Sequence, residues 1–432
     1  MRSTLFFIPH EMLGVPLFGF GWFLAGLVVV ALLWIAAAIW RNKRNPDQVS
    51  LASELLAALP VWLMAAAIVV FVLPVIEQRL PNGEIIGLPV RGYGVMVLLG
   101  LLAGIGITVY RGVQLRIVPD VIIGLGFWMM LGGILGARLF YVVQKWNDHP
   151  QLDWQHRLID IFKLTEGGLV IYGGVIGGLV AGLIYCRLQR LPLLSTADLI
   201  APGFLIGLSL GRIGCLLHGC CFGGVCTANL PAIHFPVGSG PYSSQLESGA
   251  LLGIEFSDAR IPPGTIGAVR PDSLAEQAGW QVGQRVDEIL WGDTGEPRMS
   301  ATSPPPLRAD VTVDGQITTL LPSQMPTQSL PTHPSQLYAS LNALLLCLLV
   351  WQLQPLPSRD GVAFFVAILL YAVSRFLLEW VRSDEAGQLG TQLTISQLIA
   401  LGSGIVAAIA LVWLYQRPAG RAWQWNSDRA VA

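Results

Sequence analysis

The stretch GRIGCLLHGCCFGG, residues 211 to 224, places reactive side chains at the end of a long apolar run. Arg212 lies near the end of the apolar run, where a membrane-spanning segment would reach the water interface. A guanidinium forms bidentate hydrogen bonds with phosphate oxygens. Three thiols and an imidazole follow it at Cys215, His218, Cys220 and Cys221. These residue types could bind an anion, form disulfides or hold a metal.

The cysteine spacing favours a structural role over a metal site. The pattern C-x4-C-C-x4-C fits poorly with the two to four residues that usually separate paired zinc ligands. Exported cysteines commonly form disulfides, so we expect disulfides or packed thiols, with no metal and no cofactor. A bridge between the adjacent Cys220 and Cys221 is strained, so Cys215 or Cys226 is the expected partner in any disulfide. The two remaining cysteines, in apolar surroundings, are expected to be inert core residues: Cys186 and Cys347.

The composition indicates an integral membrane protein. Of the 432 residues, 53% are hydrophobic and only 12% are charged, against about 25% charged in soluble proteins. The mean hydropathy is +0.60. A net charge of −1 without a basic tract gives no support to nucleic-acid binding.

Nine apolar segments approach the length of about 20 residues that a helix needs to cross a bilayer. They cover residues 17–40, 55–76, 91–110, 119–143, 169–187, 197–217, 335–353, 361–380 and 394–415. The first is too long, and too poor in N-terminal charge, for a cleavable signal peptide. The first two carry no intramembrane charge and are interpreted as an accessory pair. We expect an all-α polytopic fold with one small inserted domain.

Lysine and arginine in the short connections predict the orientation. Basic residues follow the first, third, fifth and ninth segments, and the loop after the eighth has none. The N-terminus is therefore expected outside and the C-terminus in the cytoplasm. The loop 144–168 does not follow this distribution of basic residues. It should face outward, yet it contains Lys145, Arg157 and Lys163.

With this orientation, the polar residues of the apolar segments fall in the outer half of the membrane. They are Tyr93, Arg138, Tyr172, Arg212, Arg375, Glu379 and Arg382. The last three are spaced i, i+4 and i+7, so they share a helix face. A single arginine near a helix end can simply extend its guanidinium to the membrane–water interface. Four arginines from three segments at one depth instead indicate a site for a lipid phosphate.

Glycines predict close helix packing around this cluster. In GGLVIYGGVIGGLVAG, small-xxx-small pairs join Gly173 to Gly177 and Gly174 to Gly178. Such pairs let two helices approach closely. Tyr172 immediately precedes them.

Six motifs in order resemble the prolipoprotein diacylglyceryl transferase family, over roughly residues 85–415. They are LPVRGYGVMVLLG, GARLFYV, EGGLVIYGGVIGG, ADLIAPGFLIGLSLGRIG, HPSQLY and YAVSRFLLEWVR. The matching positions are Tyr93, Arg212, Gly223, Arg375, Glu379 and Arg382. Three positions depart from the family pattern: Tyr172 replaces a histidine, Cys215 an asparagine and Cys220 a glutamate.

The resemblance implies a role for each residue of the site. Arg212 and Arg375 are the expected phosphate clamp, supported by Arg138 and Arg382, and Tyr93 is expected to position the head group. Tyr172 is a poor general base at a pKa of about 10 and is expected to donate a hydrogen bond. The remaining expected substrate-binding residues are Cys215, Gly223, Glu379 and His333.

A soluble segment interrupts the second half of the chain and resembles the PDZ domains of exported bacterial proteins. The resemblance rests on LLGIEF, on GTIGAVRPDSLAEQAGWQVGQRVDEILWG and on a closing strand pair in VTVDGQITTLLP. PDZ domains bind chain termini by adding a strand to a sheet edge, and a plain spacer is the alternative. The expected divisions are 1–83 (accessory pair), 84–228 and 332–416 (membrane core), 229–331 (insertion) and 417–432 (cytoplasmic tail).

The implied activity is transfer of the diacylglyceryl group of phosphatidylglycerol to the lipobox cysteine of a prolipoprotein in the bacterial inner membrane. The site and the insertion would face the periplasm or exterior, and the insertion could bind an exported polypeptide. A non-catalytic relative that binds lipid or lipoprotein is the alternative, because the family's histidine is missing. A membrane peptidase is not supported, since no His-Glu-x-x-His motif is present.

Overall fold

The structure is a computed structural model in which two compact units, residues 2–92 and 93–432, can be distinguished. It describes residues 4–44, 51–79, 85–144, 170–226, 231–259, 261–293, 307–382, 391 and 393–423. Lys145, Arg157 and Lys163, the basic residues that complicate the orientation, lie outside the described residues.

The N-terminal unit combines short strands with two helical segments. The strands β1 (Thr4–Ile8), β5 (Ile85–Arg91) and β4 (Gln78–Arg79) form an antiparallel sheet in that order, and β2 (Glu11–Met12) pairs with β3 (Val15–Pro16). Helix α1 spans Trp22–Arg44 and α2 spans Leu51–Ala67. His10 contacts the buried Glu77 carboxylate at 2.8 Å. Sequence reasoning did not identify this pair.

The second apolar segment is helical from residue 51 to residue 76, but it is not a regular α-helix throughout. After α2 the chain forms a π-helical turn, Ile68–Val72, and then one further turn, α3 (Leu73–Ile76), which contains Pro74. Proline removes a backbone donor and clashes with the preceding turn, so the regular helix is interrupted here. The described residues hold eight helices long and apolar enough to span a membrane, and only the shorter apolar helix Trp62–Ile76 in this region. The membrane-spanning character of this second segment therefore stays a prediction.

The other eight predicted spans are confirmed as long apolar helices. Besides α1 they are α4 (Gly92–Gln114), α5 (Pro119–Gln144), α6 (Ile171–Leu188), α7 (Leu193–His218), α10 (Ser335–Leu353), α11 (Val362–Leu378) and α12 (Ile395–Gln416). A 3-10 turn, Glu379–Val381, extends α11.

Glycines set the contact between α5 and α6, as their spacing predicts. A Cβ atom at Gly177 would collide with the carbonyl oxygen of Gly132, and one at Gly136 with that of Gly173. Gly104 and Gly203 meet in the same way between α4 and α7. These backbones approach so closely that only glycine fits.

The insertion forms a small antiparallel sheet of five strands in the order β10-β9-β8-β7-β6. These are β6 (Ile254–Phe256), β7 (Gly264–Val269), β8 (Arg285–Asp293), β9 (Leu307–Val313) and β10 (Gln316–Leu320). Two short helices, α8 (Gly240–Glu247) and α9 (Leu274–Gln277), accompany the sheet. Its fully buried side chains include Tyr242, Leu246, Leu252 and Ile266.

The predicted closing strand pair is confirmed as a β9–β10 hairpin. Its two turn residues, Asp314 and Gly315, both have positive φ angles, of 48° and 75°. Two-residue hairpin loops favour this conformation because its twist matches that of the strands.

Candidate active site

The three clustered cysteines lie where α7 ends and the chain turns back on itself. Gly219, with a φ of 84°, ends the helix in the left-handed conformation. The amides of Gly219 and Cys220 both donate to the carbonyl of Cys215, at 2.9 and 3.1 Å. Cys221 also has a positive φ, of 57°. As a result, the Sγ atoms of Cys215, Cys220 and Cys221 lie within 4.8 Å of one another.

All six cysteines are free thiols in the structure, which agrees with packed thiols, the second of the two expected arrangements, and not with a disulfide. Cys226 is buried and does not belong to the three-thiol cluster. Cys186 and Cys347 are buried within helices, as expected.

The first turn of α10 fixes the cysteine loop. The Gln336 side-chain amide donates to the carbonyl of Cys220 at 2.8 Å, and the Ser335 hydroxyl donates to that of Cys221 at the same distance. Gln336 is only 1% exposed. The HPSQLY motif therefore acts as a support for the loop after α7.

Gly223 joins the same loop to two other segments. Its amide donates to the carbonyl of His333, and the next amide, from Gly224, donates to that of Val381. A Cβ atom at Gly223 would lie 2.6 Å from the Cβ of His333 and 2.7 Å from its carbonyl oxygen. A side chain at position 223 therefore does not fit without a shift of the neighbouring backbone.

Arg375, Glu379 and Arg382 form a buried ionic network, as their shared helix face predicts. The Glu379 carboxylate pairs with both guanidiniums through Oε2, and the Thr394 hydroxyl donates to its Oε1 at 3.0 Å. Glu379 is 3% exposed. One carboxylate between two arginines leaves a net positive charge and holds both guanidiniums in place.

Arg212 and Tyr93 face the cysteine cluster. Arg212 interacts with the side chains of Tyr371, Cys215 and Cys221. Tyr93 interacts with Arg212 and all three cysteines, and its ring lies 6.1 Å from that of His218. Sequence reasoning missed Tyr371, although it precedes Arg375 by four residues and so shares its helix face.

Neighbouring groups shift the pKa values of two cluster thiols in opposite directions. Hydrogen bonds with the thiols of Cys215 and Cys220, with the nearby charges of Arg212 and Arg382, lower the pKa of Cys221 from its ordinary value. Hydrogen bonds with Cys215 and Cys221, together with burial, raise the pKa of Cys220. Cys221 is therefore the thiol whose ionisation the surrounding loop and arginines favour.

Two predicted site residues lie on a different helix pair. Arg138, on α5, is buried, and its guanidinium lies 5.0 Å from the centre of the Tyr141 ring. Tyr172, in the first turn of α6, is 42% exposed. The α5–α6 pair thus supplies these two residues, whereas Tyr93 lies on α4, Arg212 on α7 and Arg375 on α11.

A cavity of about 450 Å³ opens beside the arginine network. Its lining includes His333, Tyr338, Trp380 and Arg382. Nδ1 of His333 is buried and has no hydrogen-bond partner among the described residues. A polar ligand in this cavity could satisfy it.

Comparison with known proteins gives consistent matches. The family model of the prolipoprotein diacylglyceryl transferases matches residues 83–414. A phosphatidylglycerol–prolipoprotein diacylglyceryl transferase of Rhodopirellula baltica is 37% identical, covering 96% of this chain and 89% of its own. Enzymes of the same name from Paraburkholderia phymatum (27% identical, 76% of this chain and 91% of theirs) and Gloeobacter violaceus (29%, 48% and 82%) also match.

The match to the Rhodopirellula protein leaves only 4% of the chain uncovered, so the aligned region spans the insertion as well as the helices. The family model alone spans the cysteine loop, its α10 support and the arginine network. On this basis the chain is a multi-pass membrane protein that belongs to the prolipoprotein diacylglyceryl transferase family.

Proposed function

We propose that this chain transfers the diacylglyceryl group of phosphatidylglycerol to the cysteine thiol of a prolipoprotein lipobox. The observation that carries the proposal is the buried network of Arg375, Glu379 and Arg382, which continues through Gly223 into the loop that follows α7, the helix that bears Arg212. Family membership supports the same reaction.

The arginines bind the phosphate that becomes the leaving group. Arginine suits this task because its planar fork matches phosphate oxygens. Arg212 and Arg375 form the clamp, with Arg138 and Arg382 in support. Since Glu379 holds two of these guanidiniums before substrate arrives, little reorganisation is needed when negative charge develops on the phosphate.

The reaction is a displacement at carbon. The lipobox sulfur attacks the glyceryl carbon that carries the phosphate ester, a C–S bond forms, and the C–O bond breaks. Glycerol phosphate leaves with the electron pair, and the thiol proton passes to solvent or to the released phosphate. Tyr93 positions the head group, and Tyr172 donates a hydrogen bond.

The cavity beside Arg382 holds the polar part of the lipid. Its residue His333 offers an unsatisfied buried Nδ1 to a hydroxyl or phosphate oxygen. Gly223 and Cys215 complete the substrate surface by keeping the loop close to the network.

The site and the insertion face the periplasm or exterior of the inner membrane, as the distribution of basic loop residues favours. The chain is divided into an accessory pair (1–83), a membrane core in two parts (84–228 and 332–416), the insertion between them (229–331) and a tail (417–432).

The insertion is a PDZ-like domain, a proposal supported by its five-stranded antiparallel sheet and by the short loop before β6. The edge strand β6 is the place where an exported polypeptide would add. However, the amides of Leu251, Leu252 and Gly253 already donate to the carbonyls of Gln245 and Gly249. A chain terminus must therefore bind through β6 rather than through these amides.

The function is tested with the purified full-length chain, phosphatidylglycerol labelled in its acyl chains, and a lipobox peptide. Appearance of label on the peptide as a thioether is the expected result. A serine-for-cysteine peptide is the matched control and should remain unlabelled. Binding of both substrates without transfer would instead identify a non-catalytic lipid- or lipoprotein-binding relative.

A further inference from the structure

The thiol cluster has the dimensions of a metal site. Zinc–sulfur bonds of about 2.3 Å place the sulfurs of a tetrahedral site about 3.8 Å apart. The Sγ atoms of Cys215, Cys220 and Cys221 all lie within 4.8 Å of one another. A small inward movement of flexible side chains is enough to bring all three onto one ion.

The backbone presents these thiols in a fixed arrangement. Gly219 and the amide of Cys220 close the helix end on Cys215, while Gln336 and Ser335 hold the carbonyls of Cys220 and Cys221. Metal sites bind tightly when their ligands are oriented by such surrounding hydrogen bonds.

The cluster also leaves one coordination position open. Among the described residues, these three thiols are the whole group of potential metal ligands at this position, and all three are partly exposed. Structural zinc sites have four protein ligands, whereas catalytic ones have three and keep the fourth position for water or substrate.

The surrounding charge fits a bound divalent ion. Three thiolates and one zinc ion carry a net charge of −1, and Arg212 and Arg382 lie close enough to Cys221 to act on its charge. The arginines thus offset the excess negative charge of a zinc–thiolate centre, which would otherwise be costly to bury.

The thiol cluster lies beside Arg212 and Arg382, which bind the phosphate in the proposed reaction. A thiol is a weak nucleophile until it loses its proton, and coordination to zinc deprotonates a thiol outright. A three-cysteine zinc ion could therefore perform the activation.

We propose that Cys215, Cys220 and Cys221 bind a zinc ion whose fourth position takes the lipobox cysteine and delivers it as the attacking thiolate. The inference rests on the proposed function. On binding, the substrate sulfur releases its proton to solvent, and its electron pair then forms the C–S bond as the phosphate oxygen leaves with the electrons of the C–O bond. Zinc keeps its oxidation state throughout.

The test begins with the wild-type chain, purified full-length in detergent without chelators. We expect about one zinc ion per chain by elemental analysis and sulfur neighbours at about 2.3 Å by X-ray absorption. Adding a lipobox cysteine peptide should raise the number of sulfur neighbours from three to four, and the serine peptide should not. Chelation should abolish transfer, and ZnCl2 should restore it.

Variants locate the site. Cys221→Ser should lose zinc, whereas Cys226→Ser, the matched control five residues away and outside the cluster, should retain it. Thermal unfolding of both variants shows whether a loss of zinc follows only from misfolding. The wild-type chelation experiment does not depend on either variant.

The outcomes separate the two proposals. Transfer by zinc-free wild-type protein, or a disulfide from Cys215 to Cys220 or Cys221 in active enzyme, overturns the zinc inference and leaves the function intact. Zinc bound without a fourth sulfur from the peptide overturns the activation role. Zinc and peptide sulfur bound without any lipid transfer supports the site and contradicts the proposed function.

Discussion

The backbone amide of Gly223 donates a hydrogen bond of 3.2 Å to the carbonyl of His333. This contact closes the cysteine loop onto the segment that enters α10, so the local geometry of the site depends on a residue without a side chain.

Replacing Gly223 with alanine should therefore damage both stability and activity. Its Cβ would lie 2.6 Å from that of His333, and forced overpacking typically costs about 1–3 kcal/mol. Gly211→Ala is the matched control, since a Cβ there meets no atom within 4 Å. Thermal unfolding in detergent and the transfer assay measure the effect. Equal behaviour of the two variants would contradict the packing argument.

The clamp arginines should be essential to the chemical step. Arg212→Ala and Arg375→Ala should each lower transfer by at least about 100-fold, the usual cost of losing one charge-stabilising donor. Lysine should rescue poorly because it lacks the bidentate fork. Arg187→Ala, at an exposed helix end, should be fully active. Steady-state assays with labelled lipid decide this, and near-normal activity of either alanine variant would exclude the clamp.

Glu379 should prove important for stability as well as for catalysis. Glu379→Gln leaves two buried guanidiniums facing each other, and breaking a buried pair costs on the order of 3–5 kcal/mol. Glu54→Gln removes the half-exposed partner of Arg41 and should cost less than about 1 kcal/mol. Comparing the unfolding temperatures of both variants tests the network, and a neutral Glu379→Gln would show that the arginines hold their positions without it.

The insertion should lie outside the cytoplasm. Alkaline phosphatase inserted at Gly295 should be active, and a reporter that works only in the cytoplasm should be silent there. The opposite pattern would reverse the whole topology and place the arginine network at the wrong membrane face.

The sequence was informative wherever a signal is local or periodic. Hydropathy predicted the eight long apolar helices that the structure describes, glycine spacing predicted the α5–α6 contact, and helix spacing placed Arg375, Glu379 and Arg382 together. Hydropathy did not register the π-helical turn that precedes Pro74 in the second segment.

Contacts between distant segments were beyond such reasoning. The cysteine spacing could not show that Cys220 and Cys221 fold back on Cys215, because that turn depends on Gln336, more than 100 residues later. It also grouped Cys226 with the cluster, which the structure does not. Tyr371 was missed because only the folded chain brings it to Arg212.

The insertion leaves and rejoins the membrane core at a single point. Thr332, fully buried, pairs with Val225 on the outgoing chain and with Ile233 at the start of the insertion, and the amide of Cys226 donates to the carbonyl of Pro331. Because the two ends are already joined, the entropy of closing the intervening chain depends only weakly on its length. Evolution could therefore enlarge, exchange or delete this domain as a module without moving the catalytic loop. An engineered enzyme in which a short linker joins residues 236 and 328 should keep the pairing of Thr332 with Val225 and Ile233.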